Sequence, residues 1–210
     1  MNYFSKSRVE AFSDGVFAII VTLLVLEIKV PHIDHHESVA ELTRGLYTLL
    51  PKFISWIISF LMVCVIWVNH HRLLNQIANI TQAIFWLNSL LMLWCSFIPF
   101  PTALLGDYLN NPVASFVFGV VLALMSVTFT FIRWQAQRST DILQPNIDQV
   151  AFRKITRQSV LFGPVLYGTG ALAGFLSPWL SITIFGFIPF YFIFFNSFSQ
   201  ENSSSKEAEA

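Results

Sequence analysis

Charge is scarce in this chain: Asp, Glu, Lys and Arg make up only 11% of 210 residues, against 55% hydrophobic and 16% aromatic, and the mean hydropathy is +0.62. A water-soluble globule needs more polar surface than that composition supplies, so a lipid bilayer is the expected solvent. Net charge is also missing, since 12 basic residues balance 12 acidic ones. That balance excludes a general binder of nucleic acid or of anionic substrates and leaves only the distribution of charge to carry information. Cysteine is nearly absent; Cys64 and Cys95 both lie in apolar segments and offer neither a disulfide framework nor a metal site. Positive charges mark Met1 to Arg8, but no small-residue cleavage site follows the first apolar run, so the first helix is expected to stay attached.

What is present is a series of apolar runs long enough to cross a bilayer, joined by short polar connections. They predict an all-α integral membrane protein with six transmembrane helices, at Phe12–Val30, Phe53–Asn69, Ile84–Leu105, Val113–Trp134, Val160–Leu176 and Trp179–Phe195. Only Ser177 and Pro178 separate the last two, which implies a tight helical hairpin. Residues 1–198 thus read as one membrane domain, and residues 199–210 (SQENSSSKEAEA) lack any apolar pattern and read as a solvated, disordered cytoplasmic tail. Gly170 and Gly174 have the GxxxG spacing that lets helices approach closely, while Pro99, Pro101 and Pro189 are expected to kink their helices.

Orientation follows from the basic residues, because Lys and Arg beside a span resist translocation. With the N-terminus inside, Lys6, Arg8, Arg72, Arg133, Arg138, Arg153, Lys154, Arg157 and Lys206 are cytoplasmic, and only Lys29, Arg44 and Lys52 lie outside. The asymmetry predicts that both termini are cytoplasmic, with Tyr3, Trp134 and Trp179 in aromatic belts.

The first span departs from an ordinary hydrophobic helix. Arg8, Glu10, Ser13 and Asp14 crowd its entrance, where a carboxylate is costly unless it is paired or wet. A plain reading is available: acids suit a helix N-terminus, and Ser13 or Asp14 can cap it. Further along, Ile19, Leu23 and Leu26 share one stripe at i, i+4 and i+7, with Thr22 displaced by about 60°. On spacing alone this stripe is equally a packing face against neighbouring helices.

Arg8-Val9-Glu10-Ala11-Phe12-Ser13-Asp14-Gly15 resembles the RxxxFSDG signature of the transmembrane protein 175 family of potassium channels, in its bacterial branch, at Arg8, Phe12, Ser13, Asp14 and Gly15. The continuation Val16 to Val30, the segment Trp67-Val68-Asn69-His70-His71 and the stretch Asn88 to Thr102 are similar to that family as well. The resemblance implies a potassium-selective channel rather than an enzyme, without a TVGYG filter, needing no cofactor and passing potassium ions. It also implies a homotetramer in the bacterial inner membrane whose first helices surround the pore. By position, Ile19 is then the narrowest ring, Leu23 and Leu26 continue the hydrophobic lining, and Thr22 contributes to selectivity. It further suggests that Trp67, Asn88 and one of His70 and His71 join the signature in a network that holds the first helix.

Two other classes compete. His70 and His71 with Asp14 are compatible with proton relay in a coupled secondary transporter, but no ionisable residue lies between Val16 and Leu26. A membrane-embedded enzyme would need a convergent nucleophile or metal cluster, which the apolar helices do not supply.

Overall fold

The computed structural model describes residues 4–138 and 141–192, apart from the side chains of residues 159–162. Helix α1 runs Lys6–Leu24 and tightens into a 3-10 turn at Val25–Glu27. After a loop come α2 (Val39–Thr48), the long α3 (Leu50–Gln76), α4 (Gln82–Phe97), α5 (Pro99–Asp107) and α6 (Pro112–Ala136). Helix α7 (Gln149–Val160) passes through a π-helical turn at Leu161–Val165, which contains Pro164, into α8 (Leu166–Ala173). Helix α9 spans Pro178–Phe192. Strand pairing among the described residues is limited to the isolated bridges Phe4 with Ile80 and Ile77 with Leu143.

Among the described residues, four helical stretches are long and apolar enough to cross a membrane: Lys6–Glu27, Leu50–Gln76, Gln82–Asp107 and Pro112–Ala136. They match the first four expected spans, with one difference of consequence. The first helix begins at Lys6 rather than Phe12, so Ser13 and Asp14 sit about two turns inside it and cap nothing. Ser5 holds the N-cap position, and Lys6 pairs with Glu10 at 3.7 Å across the first turn. The expected sixth span extends to Phe195, and its last residues, like the tail at 199–210 and Tyr3, lie outside the described residues.

The third stretch is broken where its prolines stand. Pro99 and Pro101 cannot donate to the carbonyls of Cys95 and Phe97; Ile98 N–H closes onto Cys95 O instead, and α5 restarts from there. Thr102 compensates by donating its hydroxyl to Ile98 O at 2.8 Å, while Ser59 of α3 donates to the Thr102 oxygen at 2.7 Å. The break is thus buried and satisfied, which is what allows it inside an apolar bundle.

Close approach of α6, α8 and α9 depends on small residues. A Cβ on Gly119 would lie 2.6 Å from that of Ala171, and one on Gly170 would lie 2.5 Å from the Phe185 ring, so either helix would have to move to admit a side chain. Ser181 of α9 donates to Gly170 O at 2.6 Å, fixing the hairpin across the same seam.

One end of the bundle is knitted together by backbone. Phe4 N–H bonds Ile80 O, its ring stacks on Phe85 at 4.2 Å, Ala78 N–H bonds Ile142 O, and Gln144 N–H bonds Gln76 O. The start of α1, the α3–α4 loop and the α6–α7 loop therefore share one end. At the other end, Lys52 of α3 pairs with Asp107 of α5. Beside that pair, Lys29, Arg44 and Lys52 line an open basin of 630 Å³ together with Asp34 and Glu41.

Candidate functional site

Helix α1 packs on α3, α4 and α5 and has two distinct sides. Val9, Ser13, Phe17, Ile20 and Leu24 recur at the spacing of a buried stripe and face the bundle. About 120° away around the helix lies a second stripe, Phe12, Gly15, Ile19, Leu23 and Leu26, which the chain leaves bare. Ile19 is 59% exposed and Leu26 58%.

The buried side is pinned by polar groups. The Ser13 hydroxyl donates to Val9 O at 2.9 Å and accepts from Asn88 Nδ2 at 3.0 Å. Asn88 Oδ1 meets His70 Nε2 at 2.7 Å. Since the Asn88 nitrogen serves Ser13, its oxygen must be the acceptor, so His70 carries its proton on Nε2. Ser13, Asn88 and His70 are almost completely buried, and each satisfies the next in a single line joining α1, α4 and α3. The Phe17 ring covers the imidazole, centroids 5.5 Å apart. One turn further round, Trp67 Nε1 donates to Asp14 Oδ1 at 2.8 Å and so gives that exposed carboxylate a partner.

The structure brings together Ser13, Asp14, Trp67, His70 and Asn88. It does not bring His71 into this group: His71 is exposed, stacks on Trp67 at 5.9 Å and takes a hydrogen bond from Asn75, 3.0 Å away. The two histidines face different ways and share no site. Arg8 and Phe12 are exposed, and among the described residues no hydrogen bond, ion pair or ring contact ties them to the network; a Cβ on Gly15 would meet nothing within 4 Å. Leu26 belongs to the 3-10 turn rather than to α1 proper.

Thr22 stands on the bare side, and its hydroxyl donates to Ile19 O at 2.8 Å. With its proton tied to the helix, the oxygen presents lone pairs outward, an acceptor suited to a cation. Sequence reasoning missed the Ser59–Thr102 bond and the packing of Phe152 and Thr156 around Arg133. Hydroxyls in apolar runs are the visible signal for the first; for the second, an arginine just before the end of a span is.

These features define a multi-pass helical membrane protein whose first helix is clamped on one side and bare on the other. The family model for the endosomal/lysosomal potassium channel TMEM175 matches residues 8–99. A potassium channel of Chamaesiphon minutus is 40% identical over 188 residues, covering 88% of this chain and 92% of its own. One from Streptomyces collinus is 34% identical over 98% of both chains. The solved structure of a TMEM175 homologue from Chamaesiphon minutus, described as a lysosomal potassium-selective channel, superposes with a TM-score of 0.79 at 38% identity, covering 90% of this chain and 96% of that one. The chain belongs to the TMEM175 family.

Proposed function

We propose that this protein is the subunit of a potassium-selective channel, a homotetramer in the bacterial inner membrane with a central pore lined by α1. The observation that carries the reading is the division of α1 into a clamped side and a bare aliphatic side. A helix held by the Ser13–Asn88–His70 line is fixed in rotation, so the stripe it presents outward is fixed too. Among the described residues Arg8, Phe12 and Gly15 have no partner that explains them, which favours contact with further copies of α1.

In this reading each subunit has six spans, with both termini cytoplasmic, residues 1–198 as the channel domain and 199–210 as a cytoplasmic tail. Four Ile19 side chains form the narrowest ring, and Leu23 and Leu26 extend the hydrophobic lining over about 10 Å. Such a ring conducts only when wide enough to stay wet. Thr22 oxygens, one helical step away, offset part of the dehydration cost of potassium. Asp14 and Trp67 support the cytoplasmic end of the helix. Potassium is the permeant ion and no cofactor is required.

Purified protein in planar bilayers, with potassium on one side and sodium on the other, tests this directly. Single-channel currents reversing at a potential set by potassium are expected. Saturable uptake without unitary currents would instead make the protein a carrier.

A further inference from the structure

The end of the bundle that carries the α6–α7 loop holds a charge arrangement that conduction does not use. Helix α7 turns Phe152 and Thr156 inward onto Arg133 of α6 and leaves Arg153, Lys154 and Arg157 exposed. Arg153 and Arg157 stand at i and i+4, where like charges destabilise a helix, and Lys154 lies beside them. Among the described residues none of the three has an ion-pair partner. Beneath them the Arg133 guanidinium is 6% exposed, 4.2 Å from the Phe152 ring centroid, and donates only to neutral oxygens: Thr156 Oγ1 at 3.2 Å and Phe152 O at 3.5 Å. A fifth cation, Arg138, lies 4.0 Å over the Trp134 ring. Of the nearby acids, Asp148 is committed to capping the start of α7 through Val150 N–H, and Asp141 lies in the preceding loop.

The chemistry beside these cations is not that of a site for a soluble anion. Trp134 and Phe131 are about half exposed and pack edge to face at the end of the Pro112–Ala136 span, and Val150 is 77% exposed on α7. Bare aromatic rings next to unpaired cations, immediately beyond a span, fit the boundary between acyl chains and headgroups. We propose that α7 and the end of α6 form a docking surface for the phosphate-bearing headgroups of anionic phospholipids. The proposal rests on the membrane-channel reading above only for which leaflet is met. Its value to the protein is local: headgroup phosphates neutralise the crowded cations of α7 and hold that helix against α6.

Binding of acyl-chain-labelled phosphatidylglycerol to the full chain in zwitterionic micelles tests it without reference to conduction or orientation. Preference for phosphatidylglycerol over equally labelled phosphatidylcholine is expected. Each surface cation near an anionic headgroup is worth about fivefold in affinity, so R153Q/K154Q/R157Q is expected to weaken binding about a hundredfold. K29Q/R44Q, at the opposite end, should leave it unchanged. R157Q alone, expected to cost about fivefold, serves if the triple variant fails to fold. Equal binding of both lipids, or wild-type affinity in a folded variant, would overturn the proposal. So would competition by free glycerol phosphate as effective as that by the lipid, which would make the surface a soluble-anion site. Potassium currents are recorded separately, so loss of one reading leaves the other standing.

Discussion

Asn88 is the residue on which the clamp turns, because it is at once the acceptor for His70 and the donor to Ser13. Asn88→Ala leaves the buried His70 Nε2–H without its acceptor and takes from Ser13 its donor, though Ser13 keeps its bond to Val9 O; the cost is about 1–3 kcal/mol, whereas Ser89→Ala removes only a local bond to Phe85 O and should cost under about 0.5 kcal/mol. Unfolding of the two variants in mixed micelles separates them, and equal midpoints would mean that the line contributes nothing. Asp14 and Glu10 offer a second comparison. Asp14 accepts from Trp67, 53 residues away in sequence, while among the described residues Glu10 pairs with Lys6 on its own helix. Asp14→Ala is therefore expected to reduce assembled protein or current more than Glu10→Ala does, and matching mild losses would reduce the motif to an interfacial anchor. Which of these residues would matter was partly visible in the sequence: polar groups at the entrance of an apolar helix cannot go unpartnered. Which atom meets which was not, since Ser13 and Asn88 are 75 residues apart and either could have satisfied itself locally.

At the scale of the element, apolar length located four of the helices because lipid fixes how long a span must be, but it misjudged where α1 starts. Hydropathy drops at Arg8, Glu10 and Asp14, yet the helix continues through them because Trp67 and Lys6 satisfy the two carboxylates and the backbone bonds are internal. The break at Pro99 was readable from the missing donors; its repair by Thr102 and Ser59 was not, since it depends on how α3 lies against α5. The loop after α1 shows a different device. Glu41 of α2 accepts from His35 N–H at 2.9 Å and meets His35 Nδ1 at 2.7 Å, and these bonds hold its carboxyl below the usual carboxylate range. A depressed value means that the fastening is intact above the ordinary carboxyl range and is lost as pH falls through the folded value. The protection of the His35 amide, its exchange taken relative to the intrinsic rate at each pH, should accordingly fall on acidification in the wild type, and in Glu41→Gln it should be low at neutral pH already. The same end of the bundle tests orientation: a cysteine at Asp107 should react with an impermeant thiol reagent added outside, one at Gln144 should not, and reversed labelling would invert the proposed topology.

For the molecule as a whole, the bare stripe of α1 is the feature that one chain cannot explain. Apolar residues facing lipid are ordinary, and by that measure Ile19 resembles the exposed Leu93 of α4 or Phe187 of α9. What distinguishes α1 is that a threonine oxygen, with its proton already given to Ile19 O, sits among those residues on a helix whose rotation is fixed. Size and polarity of the proposed ring are separable by substitution. Ile19→Ala shortens four side chains around one axis and is expected to widen and wet the constriction, raising unitary conductance. Thr22→Val keeps nearly the same volume and removes the oxygen, so conductance should change little while the preference for potassium over sodium falls. If losing the four oxygens together costs potassium about 1 kcal/mol more than sodium, the size of one ordinary hydrogen bond, the permeability ratio falls about fivefold. Reversal potentials under mixed potassium and sodium, measured on variants that still assemble, give both quantities from the same recordings. Wild-type conductance and selectivity in both variants, together with changes from substitutions at Leu93 or Phe187, would move the ion path to another helix while leaving the family membership untouched.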